Sequence, residues 1–487
     1  MPARESLPTV EEALAIPEHA FVRCKSVCTL TPGLCSVEAL VQAMDAGVTA
    51  VRIQAAKFDQ QAQMQAIQLI KDAKALRPQH QFATLLEVRG GELSLGAVAN
   101  KAAVALGQGQ TVQLVNSEGV VGDSSTLTCA FEYLPRVLSL SDKVYFNDGA
   151  VVCQVTEVLS HGAALTTIEG GEVREGQSIA MPASPLNLPP LTSADEDDIT
   201  QVVQKLGVDF IVLNQVRSAA AVERVKAGIQ ARNLATKLLV KLQNVTILEE
   251  LEAVFNHCDG VVICAFDLGL VVARERMTLV HEAIIAHGNA RGKPVLLLSD
   301  RPARHSAPSV RLQTTVIGTD VVIGMDGLIH PPCDTPDLLK QEVAAFQTLC
   351  QAVECSAHYR HHVHFARSNA LNSGSAMETV CAAAVHGAAN ARAKVIVAVQ
   401  GSDFPLSHLL KFRPMIPVVV VAPEETPLAC LLQGCVGFRY GAEAESRCVE
   451  EALEAAKKRG LATTGSRALV LSAGFQNSIG NVKVTSL

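Results

Sequence analysis

Residues 25–53 read KSVCTLTPGLCSVEALVQAMDAGVTAVRI, and they show the unit from which the fold is built. An apolar run at 21–30 is followed by the amphipathic stretch VEALVQAMDAG and then by a second apolar run at 49–54. Apolar residues spaced three and four apart indicate a helix, whereas short continuous apolar runs indicate buried strands. The stretch therefore predicts a strand, a crossover helix and a second strand parallel to the first.

The same alternation continues along the chain. Eight apolar runs are separated mostly by stretches with the periodicity of amphipathic helices, as in VRSAAAVERVKAGIQARN. Eight strands with intervening helices predict an α/β fold, a (β/α)₈ TIM barrel. The six runs beyond the first unit lie at 82–88, 210–215, 237–243, 260–266, 294–300 and 320–327.

Two regions depart from the barrel pattern. The segment 89–184 contains the extended stretches VYFNDGAVVCQVTEV and AALTTIEGGEV, and its Asn-Asp-Gly sequence is a turn signal, so we predict a small inserted β-barrel domain. Near the C-terminus, five further apolar runs alternate with helical stretches and predict a separate open-sheet α/β domain. The predicted division is an N-terminal segment 1–20, a barrel of 21–88 and 185–350, the insertion 89–184 and a C-terminal domain 351–487.

Composition narrows the class of protein. The 487 residues carry 41 Lys and Arg against 48 Asp and Glu, a net charge of −7 without a basic stripe, which argues against nucleic acid as a partner. No apolar run is long enough for a membrane span, so no membrane partner is expected. The 14 cysteines are scattered without a CxxC pair, which is typical of a reduced, intracellular chain.

Targeting is predicted from the two ends of the sequence. The first residues lack the apolar core of a secretory signal, and a cytoplasmic protein is expected. The final tripeptide Thr485-Ser486-Leu487 shares its last residue with a peroxisomal signal, so a peroxisome-like organelle (a glycosome) stays open as an alternative.

The order of these parts is similar to that of the pyruvate kinase family, and motifs along nearly the whole chain support the resemblance. They are the opening unit 25–53, NDGAVVCQV (147–155), NLPPLTSADEDDI (187–199), KLQN (241–244), CDGVVICAFDLGL (258–270), ARGKPVLLLS (290–299) and LLKFRPMIPVVVVAP (409–423).

The resemblance implies phosphoryl transfer from phosphoenolpyruvate to ADP, with the site at the carboxyl ends of the barrel strands. It implies that Arg52 binds the phosphate and that Lys241 stabilises the transferring phosphoryl group. Asp267 matches one of two carboxylates that hold the divalent metal. Ser299 keeps a hydroxyl where the family has a threonine near the proton-transfer site.

Other positions depart from the family pattern. Gln243 replaces the second metal carboxylate, so binding of Mg²⁺ or Mn²⁺ is expected to be weakened, because hard cations prefer anionic oxygen. Phe266 replaces a glycine beside the substrate and is expected to crowd it. The family has an arginine that would reach the nucleotide, and this chain has Ser94 at that position. Arg89 is the candidate substitute.

The monovalent-cation site implied by the resemblance is also altered. Its positions are occupied by Gln54, Ala56, Glu87 and Val88, and the alanine offers no side-chain oxygen. We therefore expect the K⁺ site to be lost.

Three further segments bear on function. The histidines of 358–364 are interpreted as part of a structural helix rather than a metal site, because no carboxylate or cysteine partner has suitable spacing. In the expected effector loop, 400–405, Asp403 would repel a phosphate. Residues 326–331 are matched to the segment that follows strand eight, where another acidic residue of the family is missing.

Two main hypotheses remain open from the sequence. The first is a protein with weak or lost transfer activity that still binds a small phosphorylated or carboxylate ligand, with a regulatory role as a homotetramer or as a hetero-oligomer with an active relative. The alternative is an active phosphotransferase with an altered metal, monovalent-cation or nucleotide preference. A purely structural interaction protein is a third possibility.

Overall fold

The structure is a computed structural model that describes residues 21–299 and 314–486 with short gaps. The predicted N-terminal segment 1–20, the effector loop 400–405 and Leu487 lie outside the described residues. The gaps are 79, 100–101, 117–119, 148, 182–183, 185, 187, 371–374, 400–405, 423–425, 440–444 and 473–480.

Eight parallel strands close into a barrel, as predicted. The first strand pairs with the second on one side and with the eighth on the other, where Lys25 lies opposite Gly327. Buried Val, Leu and Ile side chains fill both the barrel interior and the layer beneath the helices. In order, the strands are Lys25–Thr29, Val48–Gln54, Ala83–Glu87, Phe210–Leu213, Lys237–Leu242, Gly260–Cys264, Val295–Leu298 and Gly327–Ile329.

The predicted position of the eighth strand, 320–327, is wrong. Thr314–Val322 forms a helix whose Ile317 and Val321 side chains are buried, and the strand follows at Gly327–Ile329. A short apolar run does not distinguish a buried helix from a buried strand. The match of 326–331 to the segment after strand eight is therefore also wrong, because that segment begins at His330.

The barrel helices begin at side-chain caps that the sequence supplies. Ser36, Asp59 and Ser218 each accept a hydrogen bond from the backbone three residues ahead. The acidic cluster 195–198 lies in a helix that opens with a capping box formed by Thr192. The helices are Val37–Asp45, Gln60–Leu76, Ser193–Asp198 (continued by a π turn, Ile199–Val203, and by Gln204–Leu206), Ala219–Ala231, Val245–Glu249, Leu251–His257, Ala265–Gly269, Met277–Arg291, Thr314–Val322 and Pro336–Glu354, with 3₁₀ turns at Pro32–Leu34 and Arg274–Arg276.

The insertion after the third strand is a β domain with its own apolar core. Its seven-stranded sheet curls until Leu95, beside one edge strand, bridges to Cys129 in the other edge strand. One short helix, Leu134–Val137, accompanies the strands. The strands are Leu93–Ser94, Val104–Leu106, Thr111–Asn116, Thr126–Cys129, Lys143–Phe146, Val151–Leu159, Gly162–Glu169, Gly171–Val173 and Ser178–Ala180.

The C-terminal domain has the predicted open sheet of five strands. Four are parallel, and the last pairs antiparallel at one edge, where it includes Thr485 and Ser486. The histidine-rich segment forms a helix, as predicted. No described helix of the chain has both the length and the apolar character to span a membrane. The strands are Val395–Val399, Val418–Ala422, Cys435–Arg439, Arg467–Ser472 and Asn481–Ser486, and the helices are Ala357–Ser368, Ala376–Asn390, Leu406–Leu410 and Glu445–Lys458, with a 3₁₀ turn at Pro427–Cys430.

Candidate active site

A cavity of about 350 Å³ opens at the carboxyl ends of the barrel strands, beneath the inserted domain. Most of the residues predicted for the site line it, and polar side chains dominate its wall. Its lining comprises Arg52, Gln54, Ala56, Lys57, Glu87, Val88, Glu92, Asn147, Gln177, Ser178, Asn214, Gln215, Lys241, Gln243, Cys264, Phe266, Asp267, Leu298 and Pro332.

Two buried cations share one buried carboxylate at the base of this cavity. Glu87, at the end of the third strand, lies between Arg52 on the second strand and Lys241 on the fifth. Its Oε2 lies 3.4 Å from Arg52 Nη1, and its Oε1 accepts a 3.1 Å hydrogen bond from Lys241 Nζ. Lys241 also donates to Asn214 Oδ1 at 3.0 Å. Arg52 is fully buried, and the trio carries a net charge of +1.

The charges in the trio sustain one another. Burial alone would raise the pKa of Glu87, but Arg52 and Lys241 lower it below its ordinary value. Burial likewise opposes the charge of Lys241, yet Glu87 and, more weakly, Asp267 raise its pKa above the ordinary value. All three groups are therefore ionised near neutral pH. The carboxylate of Glu87 compensates part of the positive charge that would otherwise attract an anionic ligand.

The two positions expected to hold a divalent metal are joined by a hydrogen bond. Gln243 Nε2 donates to Asp267 Oδ2 at 2.8 Å, while Gln243 Oε1 accepts from the backbone N–H of Gln215 at 2.9 Å. The backbone donor settles the amide orientation, because only an oxygen can accept from it. In this arrangement an N–H group faces the carboxylate, so the two side chains as placed do not fit a cation, and weakened metal binding at Gln243 stays a prediction.

Phe266 lies where the barrel meets the inserted domain. A Cβ atom built on Gly149, in the turn of that domain, would lie 3.2 Å from Phe266 Cζ, so the ring lies directly against the turn. The side chain begins the short helix Ala265–Gly269 and lines the cavity beside Asp267. The ring therefore occupies space at the cleft between the two domains, and crowding of a substrate by Phe266 stays a prediction.

The altered monovalent-cation positions converge on the same wall. Gln54, Ala56, Glu87 and Val88 all line the cavity. The Glu87 carboxylate is occupied by the two cations and also accepts from the Gln54 side chain. Loss of the K⁺ site stays a prediction, now with Glu87 engaged elsewhere.

Two predicted site residues lie outside the lining. Ser299 is buried at the end of the seventh strand, where its backbone N–H donates to Ile329 at 3.0 Å. Arg89 pairs with Asp198 at 2.5 Å and lies 3.5 Å from Asp195, so the structure assigns it to the start of a barrel helix and not to the cavity. The geometry gives no support to Arg89 as the nucleotide-binding cation.

The sequence analysis missed several polar lining residues, most of them amides. Asn214 and Gln215 follow directly after the fourth strand, a position that itself indicates the mouth of a barrel. Gln215 has a left-handed backbone, φ 54°, which aims its N–H at Gln243. Glu92 and Gln177 come from the insertion and its junction, and only the tertiary structure brings them to the cavity.

The fold and site together define a class of protein: a (β/α)₈ barrel with a β domain inserted after the third strand, a polar cavity at the strand ends and an α/β domain at the C-terminus. Residues 21–301 match the family model of the pyruvate kinase barrel domain. Because this match covers more than half of the chain, the chain belongs to the pyruvate kinase family.

Individual relatives are similar at low identity over most of the chain. Pyruvate kinase of Eimeria tenella is 24% identical over 457 residues, 91% of this chain and 85% of the relative. That of Thermotoga maritima is 24% identical over 470 residues, 94% and 97% of the two chains. Among solved structures, Cryptosporidium parvum pyruvate kinase in complex with ADP has a TM-score of 0.85 at 20% identity, covering 98% of each chain.

Proposed function

We propose that this protein is a pyruvate-kinase-family member in which transfer from phosphoenolpyruvate to ADP is weak or lost, while the barrel cavity still binds a small phosphorylated or carboxylate ligand. The observation that carries the proposal is the position of Glu87 between Arg52 and Lys241. In a phosphoryl-transfer site such cations stabilise the phosphoryl group and its charge. In this chain the carboxylate of Glu87 already compensates part of the positive charge that would stabilise a phosphoryl group.

The charge of the lining supports the same proposal. The cavity wall contains three basic side chains (Arg52, Lys57, Lys241) and three acidic ones (Glu87, Glu92, Asp267), so they balance. A balanced wall with a buried trio of net charge +1 favours a singly charged carboxylate over a doubly charged phosphate. Carboxylate ligands are therefore expected to bind more tightly than inorganic phosphate.

The metal positions also argue for weak transfer. Family members generally use Mg²⁺, which neutralises charge on the transferring group when it is bound. In this chain the amide N–H of Gln243 holds Asp267, and a cation entering there would have to break that hydrogen bond. Binding of Mg²⁺ or Mn²⁺ is expected to be weak, and dependence on K⁺ is not expected.

The proposal is tested by a coupled assay for pyruvate, with phosphoenolpyruvate, ADP, Mg²⁺ and K⁺, paired with thermal shifts on the same preparation. We expect negligible turnover together with a thermal shift from pyruvate, a singly charged carboxylate, or from phosphoenolpyruvate. The shift should disappear in Lys241→Met and persist in Lys71→Met, a change to an exposed lysine of a barrel helix. Robust turnover would refute the loss of activity, and no shift with any of these ligands would refute the binding.

The second candidate is an active phosphotransferase with an altered metal, monovalent-cation or nucleotide preference. It is favoured by Lys241 and Asp267, which both line the cavity at the ends of adjacent strands. It predicts turnover with Mn²⁺ or with a nucleotide other than ADP, abolished by Lys241→Ala. Screening metals and nucleotides with the wild type and with the Lys241→Ala variant decides between the two candidate functions.

Assembly and location belong to the same proposal. A homotetramer, or a hetero-oligomer with an active relative, would give a protein of low activity a regulatory role, and light scattering of the protein alone and mixed with such a relative tests it.

We propose a cytoplasmic location. The alternative needs the C-terminal tripeptide to be accessible to a receptor, although Thr485 and Ser486 are paired in the sheet, and a fluorescent fusion with Leu487 removed tests that alternative.

A further inference from the structure

Two cysteines and a glutamate meet at the amino-terminal end of the barrel, far along the strands from the cavity. Cys24 immediately precedes the first strand, and Cys350 and Glu354 are four residues apart on one face of the helix Pro336–Glu354. Their ligating atoms all lie within 4.8 Å of one another. Within the described part of the chain, this is the sole group of three or more His, Cys, Asp or Glu side chains arranged so closely.

We propose that Cys24, Cys350 and Glu354 form a structural site for a divalent cation that prefers sulfur, namely Zn²⁺. Two thiolates and a carboxylate are ligands that Zn²⁺ accepts in tetrahedral sites, with Zn–S distances of about 2.3 Å that place two sulfurs about 3.8 Å apart. The three ligating atoms lie within 4.8 Å of one another, against the roughly 3.8 Å between two sulfurs bound to one Zn²⁺. Thiolate ligands also select Zn²⁺ against Mg²⁺ or Ca²⁺.

The surroundings complete and orient this ligand set. The carbonyl oxygen of Met325 lies 3.3 Å from Cys24 Sγ, which is a suitable separation for two ligands of one tetrahedral ion, so it is a candidate for the fourth position. Glu354 Oε1 accepts from the backbone N–H of Cys24 at 2.9 Å, and Oε2 accepts from that of Arg23 at 2.8 Å. These bonds fix the carboxylate in place, as outer hydrogen bonds do in known metal sites.

Charge balance favours the ion despite the complete burial. Entry of Zn²⁺ releases two protons, one from each sulfur, and the net charge of the group stays at that of Glu354. Arg23, whose Nη1 lies 3.4 Å from Glu354 Oε2, compensates that remaining charge.

The site joins three parts of the molecule. Cys24 leads into the first strand, Cys350 and Glu354 end the helix that follows the eighth strand, and Arg23 binds the C-terminal domain. Its Nη2 donates to the carbonyl of Met415, and its own carbonyl accepts from Gly434 N–H at 2.9 Å. A bound ion would therefore stabilise the junction between the barrel and the C-terminal domain, independently of any ligand in the cavity.

The test uses the reduced, full-length protein after chelator treatment, titrated with Zn²⁺ and, in parallel, with Co²⁺. We expect one ion per chain, a rise in the thermal midpoint, and a thiolate-to-Co²⁺ charge-transfer band in the near ultraviolet. Cys350→Ala should weaken Zn²⁺ binding by at least about 10-fold and remove most of the band. Cys381→Ser, at a buried cysteine of the C-terminal domain core, is the matched control and should bind as the wild type does.

Several outcomes overturn the proposal. They are absence of the Co²⁺ band in the wild type, equal Zn²⁺ binding by wild type and Cys350→Ala, and a Cys24–Cys350 disulfide in peptide maps of the protein as purified. If Cys350→Ala fails to fold, Glu354→Gln replaces it, because it keeps both sulfurs and the shape of the ligand. It should lower Zn²⁺ affinity by about 10-fold or more, and unchanged affinity refutes the site.

Discussion

Replacing Glu87 with glutamine is expected to destabilise the protein and at the same time to strengthen its binding of anions. The substitution keeps the side-chain length but removes the negative charge that Arg52 and Lys241 share, and both of these side chains are buried. Breaking a buried ion pair by removing one partner costs about 3–5 kcal/mol, because the other charge is left uncompensated. Lys241 keeps its hydrogen bond to Asn214, so we expect a loss near the lower end, about 3 kcal/mol.

An anionic ligand should recover part of this loss. With Glu87 neutral, the net charge at the base of the cavity rises from +1 to +2, and an added phosphate or carboxylate takes the place of the missing carboxylate. The assay is thermal unfolding of Glu87→Gln and wild type with increasing phosphate, oxalate and phosphoenolpyruvate. The variant should start several degrees lower and show the larger shift with each ligand.

The control is Glu92→Gln, which neutralises an exposed carboxylate of the same cavity outside the buried trio. It should leave the midpoint close to that of the wild type. A Glu87→Gln protein as stable as wild type, or one whose response to anions is no larger, would refute the argument that Glu87 compensates the two cations.

The pH dependence of the wild type follows from the same residue. The folded-state pKa of Glu87 lies below its ordinary value, since Arg52 and Lys241 outweigh the effect of burial. A lowered carboxyl pKa contributes stability that is fully present above the unfolded pKa of about 4.3 and is lost as pH falls through the folded value. Glu87→Gln should lack this part of the acid transition.

Three other changes test separate parts of the structure. Gln243→Glu restores a second carboxylate beside Asp267 and should raise Mn²⁺ affinity about 10-fold or more by calorimetry, with lower stability when no metal is bound. His330 is wholly buried and its pKa is lowered to about 3, so stability that is full above about pH 6.5 should fall by up to about 1.4 kcal/mol per pH unit towards pH 3. His330→Asn should flatten that slope in urea unfolding at pH 7, 6 and 5. Arg413→Met leaves the buried Asp326 carboxylate without its cation at 2.9 Å and should destabilise the junction with the C-terminal domain by about 3 kcal/mol in denaturant unfolding.

Much of the architecture could be predicted from the sequence because parallel strands are buried on both faces. Seven of the eight barrel strands lie within short, mostly apolar runs, and the structure has them at the predicted places. The prediction of the eighth strand was wrong because the sequence DVVIG (320–324) fits the buried face of a helix as well as it fits a strand. The strand itself, Gly327–Ile329, has only three residues. Length and periodicity cannot separate such cases.

The positions of several cavity-lining residues could be predicted from the sequence, but their hydrogen-bond and ion-pair partners could not. Arg52, Lys241 and Asp267 line the cavity at the strand ends, as the resemblance implied, while their roles stay predictions. The role of Glu87 depends on which side chains reach across neighbouring strands, which the linear sequence does not state. For Arg89 the structure adds an ion pair that no pattern in the sequence indicates, with Asp198, more than a hundred residues away, at 2.5 Å.

The replacements at the strand ends depend on one another. A site that awaits a metal and a phosphate leaves carboxylates and cations uncompensated until those ligands bind. In this chain the amide of Gln243 donates to Asp267, and the carboxylate of Glu87 compensates Arg52 and Lys241. The charges of Arg52, Lys241, Glu87 and Asp267 are thus compensated by neighbouring groups of the protein itself. Changing one of these positions leaves the other pairing in place, so Gln243→Glu should improve metal binding while Glu87 continues to compensate Arg52 and Lys241.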